Sequence, residues 1–293
     1  MSELLKNRVL ISKTLRTKTA NTIAKILSDN KNISEIQFRD LLKSKLLNNK
    51  NVHREGYYNP PPFGIATLFG SEKNFSRLSF GTLRDKEKWP KDNNIFKKEG
   101  GIGTIYVSPV HLATGMVGDY GISIYNGKNK LIQKHFKNCV EILKKIAEFA
   151  EVGMEFRELY SYYNKLLKKY NTKKTYIILQ KHNKKVGDNL GHTIPWSYEK
   201  PTKKEQEIIS GKDFGKIKDL ICSKRIFLNF TAKFKIPPTI AFTIEFRSES
   251  KKPPILPNTS FHIMVLFING KKTILQNFDN VFKATGMDYM NIK

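Results

Sequence analysis

Residues 116–124 read Met-Val-Gly-Asp-Tyr-Gly-Ile-Ser-Ile. The run is apolar, aromatic or glycine at all but two positions, and it predicts a buried strand closed by the turn signal Asn126-Gly127. Inside it stands one carboxylate, Asp119. A carboxylate in a strand that reads as core is costly to bury, and pairing with a cation offsets that cost. The preceding run Gly103–Pro109 (GTIYVSP) is β-branched and predicts a neighbouring strand. Three further polar signals follow along the chain. Gly191-His192 lies in a Gly/Pro-bearing loop over 190–196, Glu245 sits within the apolar strand Phe242–Phe246 (FTIEF), and Asp279 follows Asn277-Phe278. Oxygen donors with one imidazole suit Mn, Fe, Co or Zn. Each residue alone is more often a solvated strand or loop position than a ligand. Their order, each on its own element, is what points to a metal centre.

Outward from these residues, the flanking pattern predicts an α+β fold. Leu15, Ala20, Ile23, Ala24 and Leu27 recur at helical spacing. Ser34 caps a second helix through Ile36, Phe38, Leu41, Leu42 and Leu46, with Glu35 in its first turn. Residues 57–71, with Pro60-Pro61-Pro62 and two glycines, read as extended chain or loop, and 85–103 as an exposed turn region. Two long amphipathic helices are predicted over 130–151 and 154–170, punctuated by Gly153. Residues 205–215 read as a polar loop or short helix, and extended runs follow at 226–234, 239–246, 261–268 and 273–278. With no internal repeat and no linker-like stretch, the expectation is one domain over 1–293. Helices would pack on one side of a curved, largely antiparallel sheet.

Composition bounds the function. The 293 residues are 39% hydrophobic, enough for a sizeable core, so global disorder is excluded. No apolar run approaches the ~18 residues of a membrane span, so no membrane partner is expected. The opening MSELLKNRVLISK lacks the apolar core of a secretory signal, so a cytoplasmic location is expected. Cys139 and Cys222 form no CxxC and read as reduced core or helix residues. The net charge of +26 would attract nucleic acid or another anionic partner. The lysines are nevertheless spread along the whole chain without an arginine-rich stripe, a pattern that biased genome composition also produces. No GxSxG occurs, and Gly100-Gly101-Ile102-Gly103 precedes a strand instead of opening a helix, which argues against a phosphate-binding role.

The ordered set Asp119, Gly191-His192, Glu245 and Asp279 resembles the M24 metallopeptidase family, which includes methionine and X-prolyl aminopeptidases. Gly118-Asp119-Tyr120-Gly121, Ile33-Ser34-Glu35 and Gly153-Met154-Glu155…Glu158-Leu159-Tyr160 resemble further family segments, and the resemblance runs from about Lys13 to Phe282. It implies the creatinase/aminopeptidase ("pita-bread") fold. It also implies five ligands for two metals, of which Asp119, His192 and Glu245 match three. Asp279 falls roughly at the final glutamate. Tyr106 stands at the first aspartate, so the resemblance implies at most one divalent ion (Mn, Co, Fe or Zn). The family's second histidine, seven residues after the ligand, is replaced here by Glu199, the candidate general acid or base. His262 reads as a packed or surface histidine. The resemblance therefore implies an aminopeptidase-type metallohydrolase acting on a short peptide or amide, in a family whose members are often dimers, so a homodimer is among its implications. A creatinase-type amide hydrolase is a third reading. The alternative is a pita-bread pseudoenzyme, a binding module for nucleic acid or another anionic partner.

Overall fold

The computed structural model describes residues 2–78, 83–174, 189–250 and 255–290. Seven α-helices are described: α1 Ser2–Asp29, α2 Glu35–Leu42, α3 Lys130–Phe149, α4 Phe156–Lys169, α5 Lys203–Ser210, α6 Phe214–Lys224 and α7 Asp279–Ala284. The described strands are β1 Asn32–Ser34, β2 Ile65–Ser71, β3 Ile95–Lys97, β4 Gly101–Val107, β5 Tyr120–Tyr125, β6 Thr172–Lys174, β7 Ile240–Ser250, β8 Thr259–Ile268 and β9 Lys271–Leu275. All pair antiparallel, in sheets ordered β1-β3, β2-β4-β5 and β6-β7-β8-β9. The two larger sheets meet where β5 lies along β8, and Ser260 N donates to Ser123 Oγ across that seam at 2.7 Å.

The helices form where the periodicity predicts them, and their caps show why they begin there. Ser34 Oγ accepts from Gln37 N while the Gln37 side chain accepts from Ser34 N, each at 3.1 Å, a reciprocal capping box. Asn129 caps α3, and Glu158 returns to Glu155 N at 2.9 Å at the start of α4. The apolar stripe of α3 (Ile132, Phe136, Val140, Leu143, Ile146) is buried, and α3 packs along β7 and β8. Strand β8 is buried from Thr259 to Phe267, which accounts for its unbroken apolar run.

Glu35 has a role that its place in the first helical turn does not suggest. It is fully buried and accepts from Phe69 N (2.6 Å), Lys91 N (2.8 Å), Arg77 Nη2 (2.9 Å) and Asn94 Nδ2 (3.2 Å). The carboxylate thereby ties α2 to β2 and to the chain around residues 91–94.

Several stretches differ from expectation. Residues 65–71, read as extended chain or loop, form β2; the Pro60-Pro61-Pro62 run ends before Ile65 and leaves the backbone donors beyond it free to pair. Residues 226–234 are not a strand. An Asx turn, with Asn229 Oδ1 accepting from Thr231 N at 3.0 Å, interrupts them. The region after Lys203 is more helical than expected: Thr202 and Glu205 form a capping box for α5, and Asp213 caps α6.

His135 of α3 supplies a pH prediction. It is buried at 8% exposure, its Nε2 has no partner, and burial pushes its pKa down to about 4 against a partial offset from a Pro257 backbone hydrogen bond. The folded value lies below the unfolded one of about 6.5. Its stability contribution is therefore full above about pH 6.5 and is lost as pH falls towards 4. Urea titrations should show the wild type losing up to about 3 kcal/mol more than His135→Leu across that window. Parallel pH profiles of the two proteins would refute this.

Candidate metal centre

Three elements carry the site. Asp119 immediately precedes β5, whose register places Tyr120 opposite Val107 and Gly121 opposite Tyr106. Glu245 lies in β7, opposite His262 of β8. Residues 190–194 run as an additional edge along β7: Glu245 N donates to Leu190 O (2.7 Å), Thr243 N to His192 O (2.9 Å) and Ile194 N to Ala241 O (2.8 Å). Gly191 makes this approach feasible. Its φ is +137°, and a Cβ there would lie 2.1 Å from the Thr243 carbonyl oxygen. The Gly-His pair thus has a steric reason: the glycine lets the chain lie against β7, and the histidine then faces Glu245.

His192 Nε2 lies 3.1 Å from Glu245 Oε1 and 3.5 Å from Asp119 Oδ2. One ligand atom from each of the three residues falls within 4.8 Å of the others. Asp119 and His192 are buried at 0% and 4% exposure. His192 Nδ1 donates to Thr193 O at 2.9 Å, which orients the ring so that Nε2 faces the carboxylates. Asp119 Oδ2 is buried without a hydrogen-bond partner. An orphaned carboxylate oxygen beside an imidazole nitrogen and a second carboxylate is a donor set that suits a divalent cation.

The surroundings carry positive charge of their own. Arg247 Nη2 is 2.6 Å from Glu245 Oε2. His262 is fully buried, with Nδ1 3.1 Å from Asp119 Oδ1 and Nε2 4.0 Å from Glu245 Oε2. Burial by itself would raise the Glu245 pKa, but the neighbouring His262 and Arg247 charges and the His192 hydrogen bond hold it well below the usual carboxylate range. Gly121 makes room for the second imidazole, since a Cβ there would lie 2.6 Å from His262 Cδ2. The Tyr106 ring centroid is 5.3 Å from that of His262, and burial, with Asp119 nearby, keeps the Tyr106 phenol protonated.

The structure brings together Asp119, His192 and Glu245. Asp279 does not join them. It opens α7, where a carboxylate complements the helix dipole, and it borders a surface hollow with Asn21, Gln276 and Asn280. The ligand-facing position on the strand beside Glu245 is held by His262 instead. Glu199 does not join them either. It lies 3.6 Å from Lys224 Nζ, which is also 2.7 Å from Glu205 Oε1, in an ion-pair group between the Gly-His loop, α5 and α6. Sequence reasoning missed His262, Arg247 and Arg16. For His262, alternation along β8 was available: Ser260 and His262 share a face with the Glu245 partner position.

The scan against protein-family models finds no match, and the search of curated proteins finds none. Solved structures do match. The methionine aminopeptidase from Rickettsia prowazekii aligns with a TM-score of 0.58 at 14% identity, over 94% of this chain and 99% of that one. The methionine aminopeptidase from Thermotoga maritima aligns with a TM-score of 0.58 at 12% identity, over 89% and 94%. The chain has the creatinase/aminopeptidase, or pita-bread, fold. A third pita-bread neighbour, the X-Pro aminopeptidase from Thermotoga maritima, aligns with a TM-score of 0.54 at 13% identity over 94% of this chain. There the chain spans 60% of the neighbour's length. The pita-bread fold accounts for the convergence seen here, because the two larger sheets meet at the seam between β5 and β8, beside the three ligand candidates.

Proposed function

We propose that this chain is a metal-dependent hydrolase of aminopeptidase type, acting on a short peptide or related amide through a single divalent ion. Asp119, His192 and Glu245 would hold the ion, and the observation that carries this reading is their convergence around the orphaned Asp119 Oδ2. When bound, such an ion polarises a carbonyl and acidifies water. The protein's own residues do the rest. Thr193 O and the β7 hydrogen bonds orient His192, and Thr243 Oγ1 lies 3.3 Å from Glu245 Oε1 and from His192 O. His262 Nδ1 and Arg247 Nη2 already engage Asp119 Oδ1 and Glu245 Oε2, so these two oxygens have protein partners and would not be free for a second cation. That arrangement supports one ion of the Mn, Co, Fe or Zn class. Asp279 and Glu199 are outside this set because their placements engage them elsewhere. Residues 1–293 are taken as one domain. Among the described residues, no helix is long and apolar enough to cross a membrane. A cytoplasmic site of action belongs to the same proposal.

Metal analysis of protein purified without chelator, with loading of stripped protein by Mn, Co or Zn, tests the reading. About one equivalent per chain is expected, with a rise in melting temperature on loading. Failure to take up any of the three ions would end the hydrolase reading.

A second reading, a pseudoenzyme serving as a binding module, draws support from one feature. A groove of about 870 Å³ beside α1 is bordered by Lys13, Lys18, Lys25 and Lys45, with threonine and asparagine hydroxyl and amide groups between them. This lysine frame fits a polyanion such as nucleic acid. Affinity for single-stranded RNA should then fall steeply with salt, and Lys13→Glu/Lys18→Glu should reduce it at least about tenfold. Binding insensitive to both salt and these changes would exclude the groove.

A further inference from the structure

Three hollows run end to end from α1 to the turn after α5. The first is the lysine-framed groove of about 870 Å³ beside α1. The second, of about 480 Å³, shares Leu10, Thr14 and Lys18 with it. The third, of about 320 Å³, shares Asn51 and His111 with the second and reaches Lys212. Because neighbouring hollows share walls, they form one continuous track. Neither the metal-centre residues nor any other carboxylate lines it.

The track changes character along its length. Lys13, Lys18, Lys25 and Lys45 line the first hollow, and Lys50 and Lys212 the third. All six are exposed, and among the described residues none has a side-chain ion pair or hydrogen bond. Lys13 and Lys25 are separated by about 18 Å of helix, so the charges are strung along the track and not gathered at one point. The basic track stops where the first hollow meets, at Asn21, the hollow that contains Asp279. Beside Lys212, the Asp213 carboxylate is 3.7 Å from Lys216 Nζ. The middle hollow is built differently. Leu10, Ile11, Leu15 and Val52 give it an aliphatic wall, and Asn49, Asn51 and His111 supply polar groups. His111 Nδ1 lies 2.9 Å from Thr114 Oγ1, which holds the ring, and Nε2 has no hydrogen bond among the described residues. Asn49 Oδ1 accepts from Asn51 N at 2.9 Å, which fixes the Asn49 amide, while the Asn51 side chain is exposed and unpartnered among the described residues.

Cations at both ends and an aliphatic hollow with free amides between them match a single-stranded nucleic acid. Its phosphates track spaced positive charge, and an unstacked base needs an apolar wall with donors and acceptors at its edge. A flat lipid surface would leave a concave track unfilled, and a compact anion would occupy one end only. We infer that the middle hollow is a nucleobase site, and that the three hollows are the path of one single strand whose phosphates lie on the lysines at either end. The inference rests on the second reading for affinity toward a polyanion. It adds the path and the base contact, and it holds whether or not the metal centre is active. No Phe, Tyr or Trp lines the track, so hydrogen bonds and not stacking set the base preference. An asparagine amide pairs bidentately with adenine, which makes adenine the favoured base.

Fluorescence anisotropy of the full chain with labelled oligoadenylate and oligouridylate RNA of about 12 nucleotides, over a salt series, tests this. Wild type is expected to bind oligoadenylate at least about fivefold tighter. The logarithm of affinity should fall against that of salt with a slope near about −4, from about −0.7 for each lysine engaged. Lys50→Glu/Lys212→Glu should make the slope shallower by about 1.4 and weaken both oligomers at least about tenfold. Asn51→Ala/His111→Ala should bring the two oligomers within about twofold at an unchanged slope, which marks a lost base contact and not a lost charge. Should that pair of changes lower the melting temperature, Asn51→Ala alone, at an exposed side chain, should still reduce the preference at least about twofold. Equal binding of the two oligomers by wild type would overturn the inference, as would a preference unaltered by these changes. Binding of phosphatidylserine vesicles but of neither oligomer would overturn it in favour of a lipid surface. Binding lost in Lys13→Glu/Lys18→Glu yet unchanged in Lys50→Glu/Lys212→Glu sinks this inference and leaves the second reading standing. The expected pattern in a chain that also takes up metal and cleaves a peptide sinks the pseudoenzyme reading alone.

Discussion

Asp119→Asn is expected to lower affinity for Mn or Zn by at least about 100-fold, judged against the 10–100-fold that loss of an outer-shell partner alone costs. The substitution is nearly isosteric. It removes the charge from the one carboxylate whose Oδ2 has no protein partner, the atom that faces His192 Nε2 at 3.5 Å. His262 Nδ1, 3.1 Å from Oδ1, still has an amide oxygen to bond, so the local packing is preserved. The effect should therefore appear in metal content and in the metal-induced rise in melting temperature, with little change in the metal-free melt. Glu245→Gln makes a less clean test, because it leaves Arg247 without its counter-charge. If Asp119→Asn keeps one equivalent of metal at wild-type affinity and an unaltered melting temperature, the ligand assignment is wrong.

Arg16→Met should cost about 3–5 kcal/mol of stability, the largest loss expected from a single change in this chain. Arg16 is fully buried on α1. Its guanidinium donates to the carbonyl oxygens of Asp119 and His262 in close contacts and to Gln276 O at 2.9 Å, and it lies 4.9 Å from the Tyr120 ring centroid. Burial lowers its pKa to about 10 against the raising effects of Tyr120 and Asp119, so it remains charged near neutrality. Methionine fills much of the volume but supplies no donor, leaving buried carbonyls unpaired at about 1–3 kcal/mol each. A melting temperature lower by about 6–20 °C is expected at about 2–4 °C per kcal/mol. Metal affinity should fall with it, because Arg16 holds the backbones of Asp119 and His262 together. Arg16→Lys, which keeps a charge and some donors, should recover part of both losses. A melt within about 2 °C of wild type would show that the guanidinium does not hold the sheets to α1.

The residues that the sequence made conspicuous were those whose type conflicts with local pattern. Asp119 and Glu245 stand out as charges in apolar runs, and Gly191-His192 as a glycine that admits close backbone approach. The helices were legible because burial of one face enforces a period near 3.6, and β7 and β8 because their apolar runs are too long to be exposed. His262 and Arg16 gave no comparable signal. A histidine in a strand and an arginine on a helix are ordinary solvated choices, and only their partners, 143 and 103 residues away for the contacts to Asp119, make them structural. Asp279 shows the converse error. An acid at a plausible distance along the chain reads as a ligand until a helix start claims it.

The amino-acid order alone determined the long helices and the long buried strands, and that an acid stands in each of two apolar runs with a Gly-His pair in a loop between them. It could do so because these are local properties, set by side-chain period, glycine sterics and the cost of a charge in an apolar run. Tertiary structure alone decided that His262 and not Asp279 faces Glu245, that Arg247 neutralises that carboxylate, and that Arg16 ties α1 to the centre. Those facts follow from the register of β7 and β8 and from the packing of α1 against the sheets. A shift of one residue in that register would turn His262 away from Glu245, to the opposite face.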